Sequence, residues 1–353
     1  MGCGDVSLSL VDNVPSSRRP RTDRRAPARF DLSLSENPFP PLPSVLDAVN
    51  IEMARSNRYP EFLPRRLPAL IAGHLGVQPD QVVVGAGATG VAMQIMQALT
   101  APGAELVTSS PTFDGYPIMA EMAGLNLVPV PLNASGDQDA DGLRRAVSKR
   151  TALLVLCRPH NPTGTVLPAD EVRRFLAAIP NRIPVILDEA YVEFLAEPDQ
   201  LDLPALLRRH ANLIVLRTFS KAYGLAGLRI GYAFGGHDLM GRIRRLQLPF
   251  GMATAAVAAV AASYAAAPEL GARVRRITAA REHLRNTLCA RGTAVPRSHA
   301  NFLYLPGPGT ATALRRAGIT AKCYADGSAR IAVGDPAADL AVVEALSERV
   351  THR

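Results

Sequence analysis

The chain has 353 residues, is 48% hydrophobic and carries a formal charge of +8. That length holds one large core or two moderate domains, and no apolar run approaches the roughly 18 to 20 residues of a membrane span. Part of the positive charge lies in a tail holding Arg18, Arg19, Arg21, Arg24, Arg25 and Arg29, which lacks interleaved aromatics and helical periodicity. It reads as a flexible arm over residues 1–29, and no nucleic-acid module is visible.

The four cysteines, Cys3, Cys157, Cys289 and Cys323, are scattered without zinc spacing, so no metal site is expected. Val6 stands where a myristoylation signal wants Ser or Thr, and an apolar secretory region is missing, so a cytoplasmic protein with reduced thiols is the expectation.

In chain order, Leu32 to Pro41 is a Pro-rich extended segment, and Pro43-Ser44 opens a helix from about Val45 to Arg55. A turn at Asn57-Arg58-Tyr59-Pro60 precedes a helix from Arg65 to His74. Strands and helices then alternate. Short apolar strands are predicted at Val82–Val84, Leu106–Thr108, Leu125–Val130, Ala152–Cys157, Val185–Leu187 and Leu213–Leu216, with helices between them. This pattern predicts an α/β fold: a mostly parallel sheet, of the seven-stranded type, covered on both faces in an α/β/α sandwich. After Pro249 the pattern changes to one long Ala/Arg helix, roughly Ala253 to Cys289, and then a smaller α+β region. The expected divisions are an arm (1–29), a segment associated with the small domain (30–55), a large domain (56–248) and a small domain (249–353).

Four predicted strand ends hold unusual polar groups. The first strand runs into Gly85-Ala86-Gly87-Ala88-Thr89-Gly90, where the N–H groups of Ala88 and Thr89 suit a phosphate at a helix N-terminus. Ala152–Cys157 is followed by Arg158-Pro159-His160-Asn161-Pro162-Thr163-Gly164, which holds Asn161 between two prolines. Val185–Leu187 leads into Asp188-Glu189-Ala190-Tyr191, and a carboxylate there is costly unless paired. Leu213–Leu216 leads to Ser220 and Lys221, with Arg229 eight residues on. Only three lysines are present, Lys149, Lys221 and Lys322, against a large excess of arginine. A lysine kept in a small, Gly-rich segment points to amine chemistry that a guanidinium cannot do. Amine, carboxylate, hydrogen-bond donors and a phosphate cup at one sheet edge suit pyridoxal phosphate.

From about Leu32 to the C-terminus the chain resembles fold-type I pyridoxal-phosphate aminotransferases, most of all the histidinol-phosphate aminotransferase subfamily. The markers are Asn161-Pro162-Thr163-Gly164, Asp188-Glu189-Ala190-Tyr191 and the segment Thr218 to Tyr232, with weaker ones at Ser35-Glu36-Asn37-Pro38, Asn57–Pro60, Ser298–Phe302 and Arg330–Gly334. The resemblance implies that Lys221 forms a Schiff base with the cofactor and then moves the substrate proton. Asp188 pairs with the ring nitrogen, Asn161 and Tyr191 bind the phenolic oxygen, and Phe113 and Ala190 flank the ring. Ser220, Arg229, Ala88 and Thr89 hold the phosphate, and Tyr59 reaches it from the other subunit of a homodimer. Arg330 clamps the substrate carboxylate, with Asn37 and Asn161 also at the substrate.

The resemblance further implies ping-pong transfer to 2-oxoglutarate. The donor is expected to be aromatic, phenylalanine-like, or histidinol phosphate, because Phe39-Pro40 and Pro249–Thr254 lack polar groups that the subfamily often has there. A decarboxylase of the threonine-phosphate type, or a regulatory cofactor-binding protein, would carry the same cofactor residues.

Overall fold

The computed structural model describes residues 29–347, so the expected basic arm, apart from Arg29, lies outside the described residues together with Cys3 and Val6. The chain enters through β1 (Phe30–Asp31), α1 (Pro43–Met53) and α2 (Arg66–Leu75). Pro43 sits in the first turn of α1, where its missing N–H costs nothing.

The alternating region is β2 (Val82–Ala86), α3 (Gly87–Leu99), β3 (Glu105–Ser110), α4 (Gly115–Met122), β4 (Asn126–Pro131), α5 (Ala140–Arg145), β5 (Thr151–Cys157), α6 (Ala169–Ala178), β6 (Val185–Asp188), α7 (Leu203–Arg209), β7 (Leu213–Thr218), β8 (Ile230–Gly235) and α8 (His237–Arg244). Its strands form one seven-stranded sheet in the order β2-β8-β7-β6-β5-β3-β4. Only β8 runs against its neighbours. The alternation of strand side chains separates two cores. Val82, Val84, Leu154 and Leu156 join one, while Val83, Leu153 and Val155 join the other beneath α3, α4 and α8.

The C-terminal region is α9 (Thr254–Ala265), α10 (Ala267–Ala290), β9 (Phe302–Leu305), α11 (Thr310–Arg316), β10 (Ile319–Thr320), β11 (Lys322–Cys323), β12 (Ala329–Ala332) and α12 (Pro336–Ser347). Strands β11, β12 and β9 form a three-stranded antiparallel sheet over a third core. The single long helix expected from Ala253 to Cys289 is instead two helices bent by 81°. Pro268, in the first turn of α10, lacks the N–H needed to continue α9.

The bend also moves the change of core. Ala256, Ala259 and Val260 of α9 pack with the large sheet, whereas Ile277, Leu284 and Leu288 of α10 pack with the small one. The segment 30–55 is likewise divided. β1 pairs with β10 beside the small sheet, but Leu42 and Val45 join the large-sheet core.

Candidate active site

Parallel strands bring their C-terminal ends to one edge, so residues far apart in sequence meet there. A cavity of about 250 Å³ lies at that edge, lined by Ala88, Thr89, Phe113, Asn161, Asp188, Ala190, Tyr191, Ser220, Lys221 and Arg229 from the large domain. The small sheet adds Arg330, and the N-terminal segment adds Leu34, Ser35 and Glu36. A wider cleft of about 460 Å³ between α5 and α6 contains none of these groups.

Asp188 ends β6 and is buried. Its Oδ2 accepts a 2.6 Å hydrogen bond from the Tyr116 hydroxyl, and its Oδ1 accepts one of 3.0 Å from the Ala190 N–H. Burial pushes the carboxyl above the usual carboxylate range, and these two donors and Lys221 oppose that shift. Burial and the nearby carboxylate push the Tyr116 hydroxyl far up, so it remains a donor. Sequence reasoning missed Tyr116. The available signal was a tyrosine three residues after Phe113 at a helix start, where a buried phenol needs a partner.

Lys221 is half-buried beyond β7. Its Nζ donates to the Ser35 carbonyl at 3.0 Å and stands 5.7 Å from the centre of the Tyr191 ring. Asn37, expected at the substrate, is absent from the cavity lining. Its amide donates to the carbonyls of Lys221 and Ala222 at 3.1 and 2.9 Å, so it fixes the backbone that carries the lysine. Asn301, a second residue missed as functional, donates to the carbonyls of Ser35 and Glu36. Arg217 and Glu189 form a buried ion pair at 2.7 Å, which ties the strand before Lys221 to the residue after Asp188.

The predicted phosphate cup assembles at the start of α3. No side chain caps that helix, which leaves the N–H groups that follow Gly87 available for an anion. Ser220 Oγ lies 3.5 Å from Arg229 Nη1. Arg229 has φ 52°, a left-handed conformation unusual for a non-glycine residue. Its carbonyl accepts from the Gly87 N–H at 2.9 Å. Gly87 itself has φ 75°, a left-handed conformation that favours glycine, and a Cβ there would displace the Arg229 guanidinium, 2.2 Å away.

Arg330, on β12, is buried and donates to Asn161 Oδ1 and to the Ser33 carbonyl, each at 2.7 Å. Both acceptors are neutral. No carboxylate pairs with Arg330 among the described residues, and its Nε has no partner there. The guanidinium lies 5.3 Å from the centre of the Phe302 ring.

Tyr59, expected at the site of a second subunit, and the departures at Phe39 and Phe250 lie outside this chain's cavity. Tyr59 is 82% exposed and packs on Phe250 at 4.8 Å, away from this chain's cavity. Phe250 is held in that cluster by its N–H bond to the Phe62 carbonyl. Phe39 packs beneath Arg273 and Arg276 on the side of α10. Neither Phe39 nor Phe250 lines the cavity of its own chain. Its apolar wall is Leu34, Phe113, Pro159 and Tyr191.

A seven-stranded sheet carrying lysine, carboxylate and anion cup at one edge, faced by an arginine of the small sheet, defines the fold-type I class of pyridoxal-phosphate enzymes. Within that class the chain belongs to the class I and II aminotransferases, whose family model matches residues 28–346. It is 43% identical to an aromatic amino acid aminotransferase of Cutibacterium acnes, over 90% of this chain and 92% of that protein. It is 41% identical to one of Rhodococcus opacus, over 88% and 87%. Among solved structures, histidinol-phosphate aminotransferase of Sinorhizobium meliloti, in complex with pyridoxal 5'-phosphate, superposes with a TM-score of 0.84 at 29% identity, over 92% and 91% of the two chains. The family implies dependence on pyridoxal phosphate.

Proposed function

We propose that the chain moves the amino group of an aromatic amino acid, phenylalanine-like, to 2-oxoglutarate. The observation that carries this reading is the cavity itself. Beyond the lysine and the phosphate cup it offers a single cation, Arg330, beside an apolar and aromatic wall. That set fits one substrate carboxylate and a neutral ring. The names of the relatives in Cutibacterium and Rhodococcus support the same donor class.

The residues present fit pyridoxal phosphate, judged by the uncapped α3 start, the Arg229 guanidinium held against Gly87 and the hydrogen-bonded Asp188. When bound, the cofactor supplies an electron-accepting ring to the carbon bearing the amino group. Ser220, Arg229 and the Ala88 and Thr89 N–H groups would hold its phosphate. Asp188 would bind the ring nitrogen, Asn161 and Tyr191 the phenolic oxygen, and Phe113 and Ala190 the two ring faces. Lys221 Nζ is the group that takes and returns the α-proton. Arg330 orients the carboxylate so that this proton faces Lys221. The exposed cluster of Tyr59, Phe62 and Phe250 supports a homodimer in which Tyr59 reaches the cavity of a second copy.

Histidinol phosphate is the second reading, supported by the Sinorhizobium relative. A donor panel of phenylalanine, tyrosine, histidinol phosphate and threonine phosphate, read as kcat/KM with 2-oxoglutarate, tests the proposal. Phenylalanine or tyrosine should lead. Leadership by histidinol phosphate would move the chain to the second reading, and carbon dioxide release from threonine phosphate would make it a decarboxylase.

A further inference from the structure

The buried ion pair of Arg217 and Glu189 lies behind the cavity and lines none of it. Glu189 is 1% exposed and Arg217 17%. Arg217 Nε and Nη2 both donate to Glu189 Oε2, at 2.9 and 2.7 Å, and the guanidinium stands 5.4 Å from the centre of the Phe234 ring. Taking two charges out of water costs about as much as their attraction returns, so such a pair is a poor source of stability. Its place in the fold supplies another reason for it.

Strands β6 and β7 run side by side until Asp188 faces Leu216, and the Glu189 N–H donates to the Leu216 carbonyl at 2.8 Å. Beyond that point β6 ends and the two chains part. One leads to Ala190 and Tyr191, the other to Ser220 and Lys221. Arg217 and Glu189 bridge them one residue past the last paired residues. Glu189 also sits inside the turn that aims the Asp188 carboxylate, because Asp188 Oδ1 accepts from the Ala190 N–H across it. Fixing Glu189 therefore fixes the Asp188 carboxyl and Ala190 together. Arg217 ties that turn to the strand that carries Lys221 four residues on.

Arg217 has a second carboxyl within its field. Burial pushes Glu193 up to about 7, while Arg217 opposes the shift and Glu189 adds to it. Glu193 Oε2 is buried and has no hydrogen-bond partner among the described residues. The guanidinium is thus committed to the carboxylate that adjoins Asp188 and leaves the other unbonded. Loss of Arg217 lets the Glu193 carboxyl rise further, so it turns neutral and strands no charge.

We propose that Arg217 and Glu189 are a positioning pair, which sets Asp188 and Lys221 relative to each other where β6 and β7 part. The pair touches neither substrate nor cofactor and acts through the backbone on either side of it. The fold does not depend on it. The inference rests on the roles proposed above for Asp188 and Lys221.

The test compares Arg217→Met, Glu189→Met, the two together and Arg217→Lys in the cofactor-loaded protein. Three quantities are read: the melting temperature, the rate at which pyridoxal phosphate leaves on dialysis, and kcat with the leading donor of the panel above. Each single Met variant strands one buried charge and should lower the melting temperature by about 10 °C. The double variant strands none and should return to within about 3 °C of the wild type. Its kcat should nonetheless stay about tenfold or more below the wild type, the scale of a small misplacement of reacting groups, and its cofactor should leave about tenfold faster. Arg217→Lys, which returns a charged donor to Glu189, should recover about threefold or more of that kcat. A double variant with wild-type kcat and cofactor release would overturn the inference. So would one no more stable than Arg217→Met, which would show that the pair holds up the fold. Normal turnover in Lys221→Ala sinks the parent reading instead, so the two failures are distinct.

Discussion

The two halves of the cavity are built differently. On the large-domain side, Asp188 ends a buried parallel strand and Asn161, Ser220 and Lys221 each follow one within a few residues. Their positions come from the sheet's own ladder and from short local bonds, such as Ala190 N–H to Asp188 and Thr218 to Ser220. On the small-domain side, Arg330 and Leu34–Glu36 arrive only through docking. Ser33 accepts from Arg330, Ser35 accepts from both Lys221 and Asn301, and Asn37 bonds back to the lysine's own backbone. On the proposed reading the large half would hold the cofactor on rigid elements, whereas the small half would read the substrate from positions fixed by contacts spanning more than 180 residues.

That contrast predicts how variants divide, in order of size. Lys221→Ala removes the proton-transfer group and should lower kcat about 10⁴-fold, with the absorbance of bound cofactor changed and the fold intact by circular dichroism. Normal turnover in that variant would eliminate the assignment. Asp188→Asn should lower kcat about 10³-fold, the scale of losing a preorganised electrostatic partner, and weaken cofactor retention on dialysis. Arg330→Met should raise KM for phenylalanine about 100-fold, the scale of removing one partner of a buried charged pair. Its cofactor should be retained on dialysis as in the wild type, in contrast to Asp188→Asn. Loss of cofactor from Arg330→Met on dialysis would erase the division between the halves.

Tyr116→Phe is the smallest and most diagnostic change. Loss of one hydrogen bond to the carboxylate should cost about fivefold in kcat/KM. It also removes a donor that opposes the upward push of burial on Asp188. The Asp188 carboxyl should then rise further, and the acid limb of the pH–rate profile should move to higher pH. An acid limb that stayed in place would show that Tyr116 only fills space.

The large half was legible because each of its residues sits next to a short apolar run, and such runs mark strands. Lys221, Asp188, Asn161, Ser220 and Arg229 needed only that rule and the chemistry of their groups. Tyr116 was missed because its partner is 72 residues away. A buried tyrosine in a sequence does not say which carboxylate it will meet. Asn37 was placed at the substrate because it lies in a family motif, yet its amide is committed to the carbonyls of the lysine loop. The break between α9 and α10 was obscured by a uniform run of alanines, although Pro268 marked it. Where Phe39 and Phe250 would pack was hidden for a related reason. Their side chains pack on Arg276 and Tyr59, contacts that depend on tertiary placement rather than on local pattern.

The most direct test of aromatic amino-group transfer is a single turnover without acceptor. Protein loaded with pyridoxal phosphate is mixed with excess phenylalanine, and the visible absorbance of the bound cofactor and the phenylpyruvate released are followed together. The account predicts complete loss of the visible band with one phenylpyruvate per site, restored by 2-oxoglutarate. A band unmoved by phenylalanine and tyrosine, but converted by histidinol phosphate, would contradict it.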